Sequence, residues 1–438
     1  MSRFGAYVRT FTGFSRDARL FLLFTLVSGA ALSLYWVDFN LYLAALGVGT
    51  PTIGIVATAG ALAGVLVAFP ASAASDRWGR RLVMAAGIAV GAVALAGFLV
   101  TESVPVLIVL GALSGAGTQA SFVVQVPYMT EHTTSEHRSE FFSLQFAVQN
   151  ATNVVAALLG GILAGTVAGM LGAGPDSLEA YRFLLLVMLV LTIASLAIVA
   201  VLGDDRPSIV FGDRPRQVGE PATFPRVTRR PMSPARLIVV HDRRRFVRLL
   251  VPVFIISLGA GQVIPFLNLF VQGKFGLSLA SLNAVFAITS LGTMVAILLQ
   301  PALARRFGKV NSVVLVQGAS IPFIIVLGFS PLLWTVIVAM TVRNSLMNAG
   351  NPIANAFAME HVDPAERASL AAATNLAWSA AWVVAGPFFS LLQATLGFGL
   401  GFTVNFITII VLYTVGTALY WHWFHDAEAR VARAPVTA

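Results

Sequence analysis

Ser72-Ala-Ala-Ser-Asp76-Arg77-Trp78-Gly79-Arg80-Arg81 is a short charged break between two apolar runs, and a degenerate copy of it lies 229 residues further on. At that shift Asp76-Arg77-Trp78-Gly79-Arg80 falls on Arg305-Arg306-Phe307-Gly308-Lys309. Glu131-His132 falls on Glu360-His361, and Arg138 on Arg367. Phe39-Asn40-Leu41-Tyr42 resembles Leu267-Asn268-Leu269-Phe270 at a shift one residue smaller. The chain is therefore an internal duplication with a period near half its length.

What is duplicated is apolar. Of 438 residues, 57% are hydrophobic and 11% are charged, with a mean hydropathy of +0.84. A soluble domain carries about 25% charged residues, so lipid must be the second solvent. There are no cysteines, which excludes disulfides, thiolate metal sites and cysteine nucleophiles. The six histidines (His132, His137, His241, His361, His422, His425) fall in polar connections or near the C-terminus. No metal or other cofactor is expected.

A membrane span needs about 20 apolar residues. The runs predict twelve helices: 20–44, 52–74, 82–101, 104–129, 140–165, 181–203, 247–272, 281–303, 312–330, 332–357, 368–395 and 398–424. The first run is too long for the apolar region of a signal peptide and leads straight into the second. The expected architecture is an all-α membrane protein with two pseudo-symmetric six-helix bundles. Its parts are an N-terminal segment 1–19, a bundle 20–203, a basic Pro-rich linker 204–246, a bundle 247–424 and a tail 425–438. Within the linker, Ala235 to Leu250 reads as a solvated tether or as an amphipathic helix on the inner leaflet. The net charge of +9 suggests a nucleic-acid partner only superficially, because 25 of the 28 Lys and Arg fall on alternate connections, the linker and the termini. Arg182 and Lys274 alone lie on the other side. This bias predicts both termini in the cytoplasm, and the short loops and Ala/Gly-rich spans fit a bacterial inner membrane.

The break after the second run resembles the major facilitator superfamily signature G-x-L-A-D-R-x-G-R-K, with Ser72 at the leading Gly and the D-R-x-G-R core intact. Together with the repeat, the resemblance covers the chain outside the termini and linker. It implies a bacterial, drug-efflux-like transporter that works by alternating access. It also implies a cytoplasmic latch: Asp76, Arg77, Gly79, Arg80, Glu131 and Arg138, with Glu360 and Arg367 as second-half counterparts, and Asp76 facing the start of the eleventh span. The second copy carries Arg305 where the first has Asp76. The family's R-x-x-x-G-x-G pattern appears as Gly111-Ala-Leu-Ser-Gly115-Ala-Gly117 without its arginine, and the helix-5 antiporter pattern is reduced to Gly160-Gly161.

Charges deep in a span are costly and usually functional. Asp38 in the first span and Arg343 in the tenth are the two residues placed so. In the family resembled, the first, fourth, seventh and tenth spans line the central cavity. Three readings follow: the two pair with each other; Asp38 carries a coupling proton while Arg343 tunes it or holds an anionic group; or either snorkels to outer water. Amides on the same spans are further candidates for binding solute: Asn40, Gln119, Gln125, Gln262 and Asn268. Asn344, Asn348, Asn351 and Asn355 make one polar stripe by their spacing. The fifth span adds Gln145, Gln149, Asn150 and Asn153. Any of these can instead bond helix to helix. Trp36, Phe39 and Trp378 are candidates for an apolar cavity wall.

No P-loop, zinc spacing or nucleophile elbow occurs, so no enzyme is expected. The expected function is secondary transport of a small organic solute, with protons as coupling ion and proton-linked efflux of amphipathic compounds as the leading reading. Uptake or uniport of a sugar or metabolite, lipid transport, and a solute sensor on a transporter scaffold are the alternatives. The expected partners are the small-molecule substrate, protons and membrane lipid, with the chain a monomer.

Overall fold

The structure is a computed structural model, and it describes residues 14–133, 138–170, 172–174, 177–203, 240, 242–363 and 366–433. Most of the N-terminal segment and of the linker lies outside these residues. Six helices form the first half: α1 (Arg16–Ala45), α2 (Thr50–Trp78), α3 (Arg80–Val100), α4 (Val104–Glu131), α5 (Arg138–Met170) and α6 (Leu178–Val201). The second half runs α7 (Arg243–Val263), a 3-10 turn (Ile264–Phe266), α8 (Leu267–Phe275), α9 (Leu279–Phe307), α10 (Lys309–Phe329), α11 (Leu333–Glu360) and α12 (Arg367–Arg433). The described residues hold no strand.

The duplication is visible in the helix ends. α2, α3 and α4 recur as α9, α10 and α11 with both boundaries displaced by 229 residues. Between α2 and α3 the chain reverses at Gly79 (φ 97°), and between α9 and α10 at Gly308 (φ 78°), backbone that a Cβ would strain. A proline explains one break that the apolar runs concealed: Pro265 has no N–H to give, and α7 passes into α8 through a 3-10 turn there. α7 itself opens on Asp242, whose carboxylate caps the N–H of Arg245 at 3.0 Å. That bond holds the Asp242 carboxyl below the ordinary carboxylate range. The helix thus starts inside the span of sequence offered above as an amphipathic surface helix; residues 204–239 of the linker lie outside the described set.

α12 is too long for one crossing, since 67 residues of straight helix would reach about 100 Å. Gly397 (φ 72°, ψ −178°) breaks it. Phe389 and Phe402 then meet edge to face at 5.6 Å, so the chain folds back on itself. Its second arm stays helical to Arg433, nine residues into the stretch read above as a tail. Ten helices among the described residues are long and apolar enough to cross a membrane, counting the two arms of α12 together. α11 is not among them, as its asparagine stripe and Arg343 lower its hydropathy. Large apolar side chains face outward, including Leu66 at 66% and Val100 at 86% exposure, as lipid contact requires.

Glycines set the closest helix approach. Gly115 of α4 lies against Gly60 of α2, and a Cβ at 115 would sit 2.0 Å from the Gly60 carbonyl oxygen. Backbone cannot yield as a side chain does, so Gly115→Ala will cost at least the ~1–3 kcal/mol typical of overpacking. Thermal denaturation of purified protein should show a clear loss against Gly91→Ala, whose Cβ meets nothing within 4 Å.

Apolar packing falls into three clusters among the described residues. One lies toward the arginine-poor end and runs through both halves, from Leu34 and Phe98 to Phe266, Phe389 and Phe406. The other two lie toward the arginine-rich end, one in each half: Phe21 with Tyr128 and Phe141, and Phe246 with Phe357 and Phe424. The halves are thus joined by a shared core at one end and packed as separate units at the other.

Candidate functional site

A cavity of about 350 Å³ opens between the halves. α1 contributes Ser33 and Trp36, α4 contributes Phe122 and Gln125, and α9 contributes Phe286 and Ser290. α5 supplies Gln145, Gln149 and Asn153, spaced by four so that they share a face. No charged residue lines it. The wall is thus amide, hydroxyl and aromatic. Trp36 is half exposed and meets Trp382 of the second half edge on at 5.9 Å, and Trp382 lies 5.6 Å from Trp378. Three indoles bridge the halves beside the cavity. Phe39 is not part of that wall: it is 4% exposed and packs on Tyr35 and Phe98 inside the first half.

Asp38 and Arg343 are both buried, at 1% and 6% exposure, so neither snorkels to water. Nor do they pair with each other. Asn283 of α9 donates to Asp38 Oδ1 at 2.8 Å, while Oδ2 has no hydrogen-bond partner. Arg343 donates to the Tyr413 hydroxyl within the second half and lies 5.5 Å from that ring. Asn283, Phe286 and Ser290 follow one face of α9, so the Asp38 contact sits one turn beyond the cavity toward the arginine-poor end. Sequence reasoning did not single out Asn283; its only signal was an amide at the edge of an apolar run.

Asn40 and Asn268, offered above as solute ligands or as bonds between helices, bond helix to helix. Asn40 Nδ2 donates to the Pro265 carbonyl and Asn268 Nδ2 to the Val37 carbonyl, both at 2.6 Å. The two bonds are reciprocal and repeat-related, and they join α1 to the broken α7–α8 helix. Gln262 is buried with Oε1 unpartnered, and Gln119 lies against Gly64 of α2. Along α11, Asn344 donates to Thr293 at 3.2 Å and Asn348 to the Asn344 carbonyl at 2.9 Å. Asn351 and Asn355 are exposed, so the stripe opens progressively toward the arginine-rich end. Asn375 of α12, also exposed and one turn from Trp378, was missed in the sequence.

At the arginine-rich end each half carries the same brace. Arg80 reaches Asp76 at 2.8 Å and Glu131 at 3.2 Å, and its Nη1 donates to Ser75 at 2.6 Å. Its counterpart Lys309 pairs with Glu360. His132 stacks on Tyr128 and His361 lies over Phe357, both at 3.9 Å between ring centroids. Arg367 donates to the Met359 carbonyl at 3.0 Å, and Arg77 lies over Trp78. These contacts tie residues within a half. The side chain of Arg138 lies outside the described residues.

The Major Facilitator Superfamily profile matches residues 21–387. The search of curated proteins finds no match. Among solved structures, the nucleoside transporter NupG superposes with a TM-score of 0.72 at 12% identity, over 94% of this chain and 99% of that one. A bacterial homolog of the human lysosomal transporter Spinster, in an inward-facing and occupied conformation, gives 0.70 at 13% identity, over 96% and 97%. A D-xylose-proton symporter gives 0.70 at 12% identity, over 92% and 97%. At these identities the likeness is one of fold, and the profile match carries the assignment: this chain belongs to the Major Facilitator Superfamily, whose members are membrane transporters of small molecules.

Proposed function

We propose that this chain is a proton-linked secondary transporter that carries a small, uncharged, amphipathic organic solute across the inner membrane by alternating access. In this reading the chain crosses twelve times, with α7 and α8 forming one crossing and the arms of α12 two, and the arginine-rich end is cytoplasmic. One observation carries it: a cavity without charges, walled by amides, hydroxyls and aromatic rings, lies between two repeated halves that share a core at one end only. That arrangement is an inward-facing state. Closure at the outer end comes from the Asn40 and Asn268 bonds and the Trp36–Trp382 contact. The braces of Arg80 and Lys309 keep each half rigid as the halves rock, and Asp76 and Glu131 with Arg80 form a latch surface for the opposite state. Asp38, buried at the closed end with Asn283, is the coupling carboxylate.

Efflux of amphipathic compounds follows from the apolar, weakly charged interior. The cluster Gln125, Gln145, Gln149 and Asn153 favours a second reading, uptake of a hydroxyl-rich neutral solute. Thermal-shift screening of the purified protein against neutral amphiphiles, sugars and organic anions discriminates the classes. Stabilisation grows as RT ln(1 + [L]/Kd), about 2.7 kcal/mol at a hundredfold excess over Kd. Neutral compounds should stabilise wild type and lose the effect in Trp36→Ala. Stabilisation by anions alone would contradict the charge-free site.

A further inference from the structure

A second cavity, of about 130 Å³, lies inside the first half among α1, α3, α4 and α6. It is not separate from the central one: Leu32, Phe122, Gln125 and Gln149 line both. At about 30 Å³ per water in the liquid, its volume holds a group of a few heavy atoms. No charged residue lines it.

Its polar wall has a direction. Ser28 donates its hydroxyl hydrogen to the Phe24 carbonyl at 2.7 Å, Thr192 to Met188 at 2.7 Å and Ser195 to Leu191 at 2.8 Å. Each hydroxyl oxygen keeps lone pairs once its hydrogen is committed to the helix. Gln149 spends one of its two Nε2 hydrogens on Asn153 at 3.1 Å, so it offers both a donor and its carbonyl oxygen. The three hydroxyls offer acceptors to the space they enclose.

In the second half, built from the same repeat, three matching positions carry larger side chains. Gly91 and Thr118 line the cavity. At the same shift of 229 their counterparts are Ser320 and Met347, whose Oγ and Sδ touch at 3.5 Å. Ser114, also on the cavity wall, corresponds to the buried Arg343. At these three positions the first half carries the smaller residue, and a Cβ added at Gly91 would meet open space.

We infer that this side cavity is a subsite for a neutral hydrogen-bond-donating group of the carried solute, such as a hydroxyl or amide arm, while the rest of the solute occupies the central cavity between the halves. The inference rests on the transport reading for its solute, but the chemistry of the pocket can be tested apart from transport. The chain has no cysteine, so Gly91→Cys and, on the opposite wall, Ser28→Cys each supply a single thiol. Purified protein in proteoliposomes is treated with four methanethiosulfonates bearing 2-hydroxyethyl, propyl, ethylammonium and ethylsulfonate groups. Rates are normalised to each reagent's rate with free 2-mercaptoethanol. The expected order places hydroxyethyl first, with both charged reagents at least about tenfold slower, a difference of about 1.4 kcal/mol. Fastest reaction with propyl would mark an apolar void, equal rates with charged reagents an open aqueous vestibule, and no reaction at either position a closed interior. Each of these overturns the subsite. The labelling reads out whether or not a solute moves, so its failure would leave the transport reading standing.

Discussion

Asp38→Asn should abolish solute accumulation driven by a pH gradient while leaving solute exchange at equilibrium intact. The substitution keeps size and shape, and its Oδ1 can still accept from Asn283. What it removes is the capacity to take and release a proton. A carboxylate buried at 1% exposure with no cation beside it carries the cost of an unpaired charge, several kcal/mol after relaxation. Arg343 does not pair with it; its guanidinium donates to Tyr413. In the proposed mechanism, proton occupancy of Asp38 is linked to closure at the arginine-poor end, and opening that end to water relieves the cost. One proton crossing a one-unit pH gradient is worth about 1.36 kcal/mol, enough for about tenfold accumulation. Wild type should approach that ratio and Asp38→Asn should stay near unity. Radiolabelled uptake or efflux in proteoliposomes measures both. Retained accumulation in the variant would remove Asp38 from the coupling mechanism.

The second large effect is conformational. Replacing both Asn40 and Asn268 with Ala should shift the protein away from the state described here. Interhelical hydrogen bonds in membranes contribute about 0.6 kcal/mol on average and up to about 1.7. Two of them lost from one state give about 1–3 kcal/mol, a population change of roughly 5- to 150-fold. Spin labels at Ser103→Cys and Leu332→Cys, repeat-related positions on exposed connections of the two halves, report the separation at the arginine-poor end. The double variant should add a longer distance to the distribution, and Asn40→Ala alone should do so partially. A distribution identical to that of the parent pair would mean the two bonds do not gate the opening.

These expectations show where sequence was informative. Hydropathy and the 229-residue shift sufficed for the helical membrane fold, because both are properties of single helices and of local turns such as Gly79 and Gly308. The resemblance at Asp76–Arg80 led to the family that the profile then established. Partnerships between helices were less legible. Asn40 and Asn268 carry no mark that distinguishes a clamp from a ligand; the distinction arises only when Leu269 N–H turns to Asn268 Oδ1 after the 3-10 turn and the Pro265 carbonyl is left to accept from Asn40 on α1. Asp38 and Arg343 looked like a possible pair because both are deep, yet depth says nothing of azimuth, and Asn283 and Tyr413 intervene. The amides of α5 and Trp382 gained weight only once the halves were placed together. The side cavity was invisible because small residues register as packing in a sequence, and as space only in three dimensions.

This protein should move a solute between the two sides of a membrane through the cavity between its halves. The direct measurement is flux of the thermal-shift ligand into proteoliposomes of wild-type protein, with and without an imposed pH gradient, beside the Trp36→Ala variant. The predicted result is protein-dependent flux that the gradient drives to accumulation and that Trp36→Ala diminishes. Saturable binding of the ligand with no flux across the membrane under either condition would contradict it, and would make the cavity that of a sensor.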